Sequence, residues 1–178
     1  MCAEWTPPVL VLLGVAGAGK TTVGHLVADT LGVPLVETDD LVGRETGLSV
    51  AQLVVSQDPR LDQLLRDAAL RALAPSGVGA HAVVTLGASQ PGDPAVADAL
   101  RSARAQGARV VELVVDAAEI SRREGLNAPR SVGLGAPRAL LARMVRELRA
   151  VYEPLVDVSV DTVAVAPATV AGQVLAAL

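Results

Sequence analysis

An unbroken apolar run, Val9 to Leu13, leads straight into Gly14-Val15-Ala16-Gly17-Ala18-Gly19-Lys20-Thr21-Thr22. The run is short and wholly apolar, so it reads as a strand buried on both faces, as in a parallel sheet. Glycines after it let successive backbone N–H groups converge on an anion. A helix must follow, because its first amides and its dipole complete that anion site. The pattern G-x-x-x-x-G-K-[ST] in this context is that of a phosphate-binding P-loop. Lys20 is the only lysine in the chain; the other fourteen basic residues are arginine. An ammonium is a compact point charge that can lie along a triphosphate, whereas a guanidinium is a broad planar fork. Gly14, Ala16, Gly17, Ala18, Gly19, Lys20, Thr21 and Thr22 are therefore the expected contacts to the phosphates of a nucleoside triphosphate, whose base the motif leaves open. Lys20 should reach the β- and γ-phosphates and Thr21 should ligate Mg²⁺.

Apolar periodicity alternates between strand and helix from end to end. Val23, Leu26, Val27 and Leu31 space a helix over about Lys20 to Leu31, stopped by Gly32. Leu35-Val36 is a second strand, ending at Glu37-Thr38-Asp39-Asp40. Leu41 to Val55 reads as two short helices broken near Gly47, with Ser49 as a cap. A longer helix starts at Asp58-Pro59 and runs to about Leu73. Ala82 to Leu86 is a third strand, Asp93-Pro94 opens a helix through Ala105, and Val110 to Val115 is a fourth strand. A short helix over Asp116 to Arg123, a helix over Pro137 to Val151, a fifth strand over Val156 to Val160 and a helix over Ala168 to Leu178 complete the pattern. The alternation predicts a three-layer α/β fold, the P-loop NTPase type, with a mainly parallel five-stranded sheet flanked by helices. The 178 residues read as one domain, with a mobile lid at about 124–137, where three glycines and two prolines carry no clear period.

Composition excludes several classes. A net charge of −4 argues against a general nucleic-acid or anionic-membrane binder. No apolar run approaches the ~18–20 residues that span a bilayer. Cys2 is the only cysteine, so no intrachain disulfide forms. A soluble cytoplasmic protein, expected to be monomeric, is the default. His25 and His81 have no partner His or Cys nearby in sequence and read as non-ligands, and the arginines at 138, 143, 146 and 149 read as a solvated helix face.

Beyond the P-loop, the chain resembles the shikimate kinase family. The likeness rests on Gly14 to Thr22, on Glu37-Thr38-Asp39 after the second strand, and on Thr46-Gly47-Leu48-Ser49-Val50. It resumes at Arg122-Arg123-Glu124-Gly125-Leu126-Asn127 and again in Tyr152 to Thr162. The resemblance implies transfer of the ATP γ-phosphoryl group, with Mg²⁺, to the 3-hydroxyl of shikimate, a small anionic carbocycle. It implies that Asp39 binds the accepting hydroxyl and takes its proton, unless Asp39 or Asp40 merely caps the helix near Leu41. It places Arg60 on the substrate carboxylate, Arg130 of the lid on the transferring phosphate, and Arg123 near adenine. Glu37 would hold Mg²⁺-bound water, and Gly87 would line the substrate pocket.

The chain departs from the family pattern in four places. Glu37 replaces an aspartate, and Leu86-Gly87-Ala88 replaces three consecutive glycines. Arg130-Ser131-Val132 replaces Arg-Pro-Leu, and Leu148 occupies the position of a second carboxylate-binding arginine. Arg149 lies one position away and would serve only with a local helix shift. A gluconate-kinase-like activity is an alternative on the same fold. A nucleotide-binding regulatory homologue with reduced catalysis is another.

Overall fold

The computed structural model describes residues 7–123 and 135–178, with the side chains of 135–138 outside that description. The expected lid at 124–137 and Arg130 lie outside the described residues, apart from the backbone of the first turn of the helix that follows.

Five strands form one sheet: β1 (Leu10–Leu13), β2 (Leu35–Glu37), β3 (Val83–Thr85), β4 (Arg109–Val114) and β5 (Val158–Asp161). Their order is β2-β3-β1-β4-β5. Every pairing is parallel, so the sheet is wholly rather than mainly parallel. β1 is central, pairing Leu10 with Val83 on one side and with Arg109 on the other. All four residues of β1 are inaccessible to solvent, as a strand covered on both faces requires.

The helices among the described residues are α1 (Lys20–Leu31), α2 (Thr38–Thr46), α3 (Val50–Val55), α4 (Leu61–Leu73), α5 (Pro94–Ala105), α6 (Ala117–Arg123), α7 (Gly135–Tyr152) and α8 (Pro167–Leu175). α1 packs on α8, and α4 packs on α2 and α5. Small residues set the packing distance. A Cβ on Gly24 would lie 2.9 Å from the Leu35 side chain, so α1 sits close against the sheet. On α4, Ala68, Ala69 and Ala72 are fully buried beside Leu73.

Local signals account for two of the helix starts. Ser49 caps α3 through a reciprocal box: Gln52 N–H donates to Ser49 Oγ at 3.2 Å, and Ser49 N–H donates to Gln52 Oε1 at 2.8 Å. Asp93 caps α5 by accepting from Ala95 N–H at 2.9 Å. Two starts differ from expectation. α2 begins at Thr38 rather than near Leu41, because β2 passes into the helix with no intervening loop and Thr38 is held by β3. α4 begins at Leu61, because Asp58 binds the Arg60 N–H at 2.9 Å and occupies the turn ahead of the helix.

Tyr152, at the end of α7, is fully buried. Its hydroxyl donates to the Ala88 carbonyl at 2.6 Å and so ties α7 to the loop after β3. Burial, with help from the Glu112 charge, pushes its ionisation well above the ordinary 10. Tyr152→Phe should cost about 1–1.5 kcal/mol, the net worth of one hydrogen bond to a part-buried carbonyl. Thermal unfolding should show a Tm lower by roughly 2–6 °C, and an unchanged Tm would mean the bond contributes nothing.

Candidate active site

Five segments meet at the carboxyl ends of the strands: the P-loop after β1, the start of α2 after β2, the loop after β3, α6 after β4 and Thr162 after β5. The crevice beside β1, where neighbouring connections diverge, is the usual ligand site of such sheets. Gly14 leaves β1 with φ +151°, and a Cβ there would fall 2.8 Å from the Leu113 carbonyl of β4. Only glycine lets the loop cross so closely. Gly19 precedes α1 with no side-chain cap, leaving the first amides of that helix to an anion.

Lys20 Nζ donates to the Gly14 carbonyl at 2.7 Å and to the Val15 carbonyl at 3.2 Å. Burial pulls its ammonium below the ordinary 10.5, while Asp39 and then Glu37 pull it back up. Beside it, Thr21 Oγ1 donates to Glu37 Oε1 at 2.6 Å, and Thr85 Oγ1 approaches the same oxygen at 3.4 Å. A hydroxyl and a carboxylate oxygen next to a phosphate loop suit Mg²⁺, which takes few protein ligands and keeps waters. Glu37 therefore brings its longer side chain within reach of Thr21. Among the described residues no cluster of three or more His, Cys, Asp or Glu forms a closed metal cage.

Asp39 lies in the first turn of α2, whose cap position is Glu37, so it is not the capping residue. Its neighbour Thr38 is fully buried and anchors the turn. The Thr38 hydroxyl sits 3.0 Å from the Thr85 carbonyl and 2.7 Å from Gln90 Oε1. Gly87 N–H donates to Gln90 Oε1 at 2.7 Å and to the Thr38 hydroxyl at 3.2 Å. Gln90 Nε2 in turn donates to the Leu65 carbonyl of α4 at 2.8 Å. Asp39 is thereby laid against bare backbone: a Cβ on Gly87 would lie 2.8 Å from Asp39 Oδ1. Solvent reaches Asp39, yet protein surrounds it closely enough that desolvation raises its pKa above the ordinary 3.8. Lys20 opposes that rise, and Glu37 and Asp40 add to it.

On the other side of the P-loop, a cavity of about 460 Å³ is bordered by Gly17, Gly19, Thr22, Arg123, Thr162 and Pro167. Arg123 spans it, donating to the Gly17 carbonyl at 2.9 Å, to the Thr162 carbonyl at 2.5 Å and to Glu119 Oε1 at 2.9 Å. Arg122 and then Arg123 hold the Glu119 carboxyl down to about 2. Arg123 is thus a brace between the P-loop and the segment after β5 as well as a wall of this cavity.

Another cavity, of about 700 Å³, opens from Asp39 and Gly87 towards α7. Here two expectations are corrected. Arg149 does not reach it: its Nε donates to Glu112 Oε1 at 3.1 Å, and Leu148 lines the cavity instead. α7 runs unbroken to Tyr152, which is pinned at Ala88, so the helix shift that Arg149 would need does not occur. Arg60 is also absent from the lining. Its side chain is exposed and held by Asp58 through bonds of 3.0 and 2.8 Å. Of the altered Leu86-Gly87-Ala88 segment, Leu86 is a core residue and Gly87 retains the open backbone.

The Thr38–Gln90–Gly87 network and the Glu119 brace were not singled out from the sequence. A buried threonine and glutamine carry no local signal, because their partners lie 47 and 25 positions away.

Two outcomes test this geometry. Gly87→Ala must displace Asp39 Oδ1, so ATP-dependent turnover should fall about 10- to 100-fold with nucleotide affinity nearly unchanged. Asp39→Asn should raise Tm at pH 7. The folded protein binds the Asp39 proton more tightly than the unfolded chain, so the charge costs stability above the ordinary pKa. The gain should vanish in melts below pH 3.8, where the carboxyl is protonated in both states.

A family model described as shikimate kinase matches residues 16–178. The shikimate kinase of Thermobifida fusca is 35% identical over 156 residues, covering 87% of this chain and 86% of the relative. That of Streptomyces coelicolor is 32% identical over 155 residues, covering 87% and 86%. Among solved structures, shikimate kinase from Acinetobacter baumannii in complex with shikimate superimposes with a TM-score of 0.78. It shares 21% identity and covers 97% of this chain and 93% of that one. A gluconokinase from Sinorhizobium meliloti 1021 superimposes with a TM-score of 0.56 at 23% identity, covering 97% and 92%. At these identities the two structures show the fold. The matched family model and the sequence relatives make the chain a member of the shikimate kinase family, which implies transfer of phosphate to a hydroxyl group with ATP and a divalent metal.

Proposed function

We propose that this protein transfers the γ-phosphoryl group of ATP to a ring hydroxyl of shikimate or a close relative of it. The observation that carries the reading is the placement of Asp39 on the border of three cavities, one of them also bordered by Lys20, Thr21 and Glu37 and the other two roomy enough for a small acceptor. The acceptor oxygen bonds to the γ-phosphorus as the bond from that phosphorus to the ADP oxygen breaks. The hydroxyl proton passes to Asp39, and ADP leaves. Asp39 orients the hydroxyl and accepts the proton, a role its raised pKa suits. Lys20 supplies positive charge where the transferring group gains negative charge. Mg²⁺ bound at Thr21 and Glu37 would neutralise phosphate charge. Gly14, Ala16, Gly17, Ala18, Gly19 and Thr22 cradle the phosphates, and Arg123 borders the base. Arg130 is assigned to the transferring phosphate on the family pattern. The reading takes the monomer in the cytoplasm as the working unit. Among the described residues, no helix is long and apolar enough to cross a membrane.

ADP release coupled to a reporter reaction, with shikimate, gluconate and no-acceptor arms, tests this directly. Turnover should require Mg²⁺ and an acceptor. Lys20→Ala should lower kcat by about 100-fold or more, and Asp39→Asn by about 10²–10⁴-fold. The rate should rise with pH as Asp39 ionises, at a pH above 3.8, and fall in alkali as Lys20 deprotonates, below 10.5. ATP binding without phosphoryl transfer to any cyclic or sugar acid would sink the enzyme reading.

A further inference from the structure

Gln90 is 3% exposed and lies behind the cavity walls at Asp39 rather than in their described lining. It opens a single 3-10 turn, Gln90–Gly92, after the loop that follows β3. Its backbone and its side chain both return to Gly87. Gln90 N–H donates to the Gly87 carbonyl at 3.1 Å, and Gly87 N–H donates to Gln90 Oε1 at 2.7 Å. The peptide groups on either side of the Gly87 Cα are therefore fixed by one residue. The amide can point only one way: the Gly87 N–H requires its oxygen, and the Leu65 carbonyl requires its NH₂.

Through that NH₂ the same side chain reaches α4, donating to the Leu65 carbonyl at 2.8 Å. The next residue of α4, Arg66, pairs with Asp93 at 2.6 Å, where α5 begins. Leu65, Gly87 and Asp39 all line the cavity of about 700 Å³. One buried amide thus joins two parts of a wall that lies against the carboxylate. Gly87 has no side chain with which to pack itself in place. Among the described residues, the other bond to its N–H is the longer one, 3.2 Å to the Thr38 hydroxyl. Asp39 Oδ1 stands where a Gly87 Cβ would come within 2.8 Å, so the position of the Gly87 backbone limits where the carboxylate can stand.

We infer that Gln90 is a positioning residue for the phosphoryl transfer: it fixes the Gly87 backbone from behind, so setting where the Asp39 carboxylate meets the acceptor hydroxyl, and it makes α4 part of that setting. The inference rests on the phosphotransferase reading above. Gln90 touches no reacting atom and acts through Gly87. A displacement of about 1 Å at such a site can cost roughly 10²-fold in rate.

Gln90→Met keeps the length of the side chain and removes the amide. Full-length protein would be followed by amide hydrogen exchange at Gly87 and by steady-state kinetics with ATP, Mg²⁺ and shikimate. The wild-type Gly87 amide should be protected, and Gln90→Met should speed its exchange about 10-fold or more while the amides of β1 stay as they were. kcat should fall about 10- to 100-fold, with ATP affinity and the KM for shikimate changed about 3-fold or less. Added to Gly87→Ala, Gln90→Met should lower kcat by only about 3-fold more, because both act on one contact. A merely structural role would lower Tm, leave kcat per folded molecule at the wild-type level and keep the two substitutions independent. An unprotected Gly87 amide in the wild type would overturn the inference without any variant. So would a wild-type kcat in Gln90→Met, or losses that multiply in the double variant; each leaves the phosphotransferase reading standing. A wild type that binds ATP but phosphorylates no acceptor would overturn both.

Discussion

β1 is hydrogen-bonded in parallel on both sides, to β3 and to β4, and every functional segment inherits its position from that pairing. A strand buried on both faces leaves the chain one exit, at its carboxyl end. Parallel register brings the ends of β2, β3, β4 and β5 to the same edge. The P-loop therefore emerges among four other strand ends rather than on an open surface. The Cβ-free Gly14 is the hinge of this exit, pressed against the Leu113 carbonyl. The fold thus converts a local phosphate motif into a shared crevice.

Within the crevice, Lys20 and Asp39 shape one another's charge, and Glu37 acts on both. Lys20 restrains the rise of the Asp39 pKa, and both acids sustain the Lys20 ammonium against burial. Among the described residues none of the three forms an ion pair. Lys20 is held by loop carbonyls, Glu37 accepts from Thr21, and Asp39 lies close against the Gly87 backbone that the Thr38–Gln90 network fixes. Charges kept near one another but supported by neutral groups remain available to a ligand. The structural ion pairs lie at the margins: Arg104 with Asp157 at β5, Arg66 with Asp93 at α5, Arg123 with Glu119 at the base-side cavity. On the other side of Asp39, the described lining of the cavity of about 700 Å³ is mostly apolar and comes largely from α7.

The alternation of strands and helices, the extent of α1 from Lys20 to Leu31, the Ser49 cap and the Asp93-Pro94 start were all legible in the sequence. Each depends on residues within one turn or one strand of each other. The phosphate site was legible for the same reason, since its glycines, Lys20 and Thr21 are contiguous, and Asp39 followed from its place after β2 and the family pattern. Arg60 and Arg149 were misplaced because sequence position does not reveal a side chain's partner, and both are claimed by nearer acids, Asp58 and Glu112. The sequence by itself determined a parallel α/β sheet ending in a phosphate loop, because strand burial, glycine turns and helix periodicity are local properties. Only the tertiary structure decided that Thr38 and Gln90 fix the Gly87 backbone beside Asp39, and that Leu148 rather than Arg149 lines the cavity next to it. Those outcomes depend on which faces of distant helices meet across the sheet.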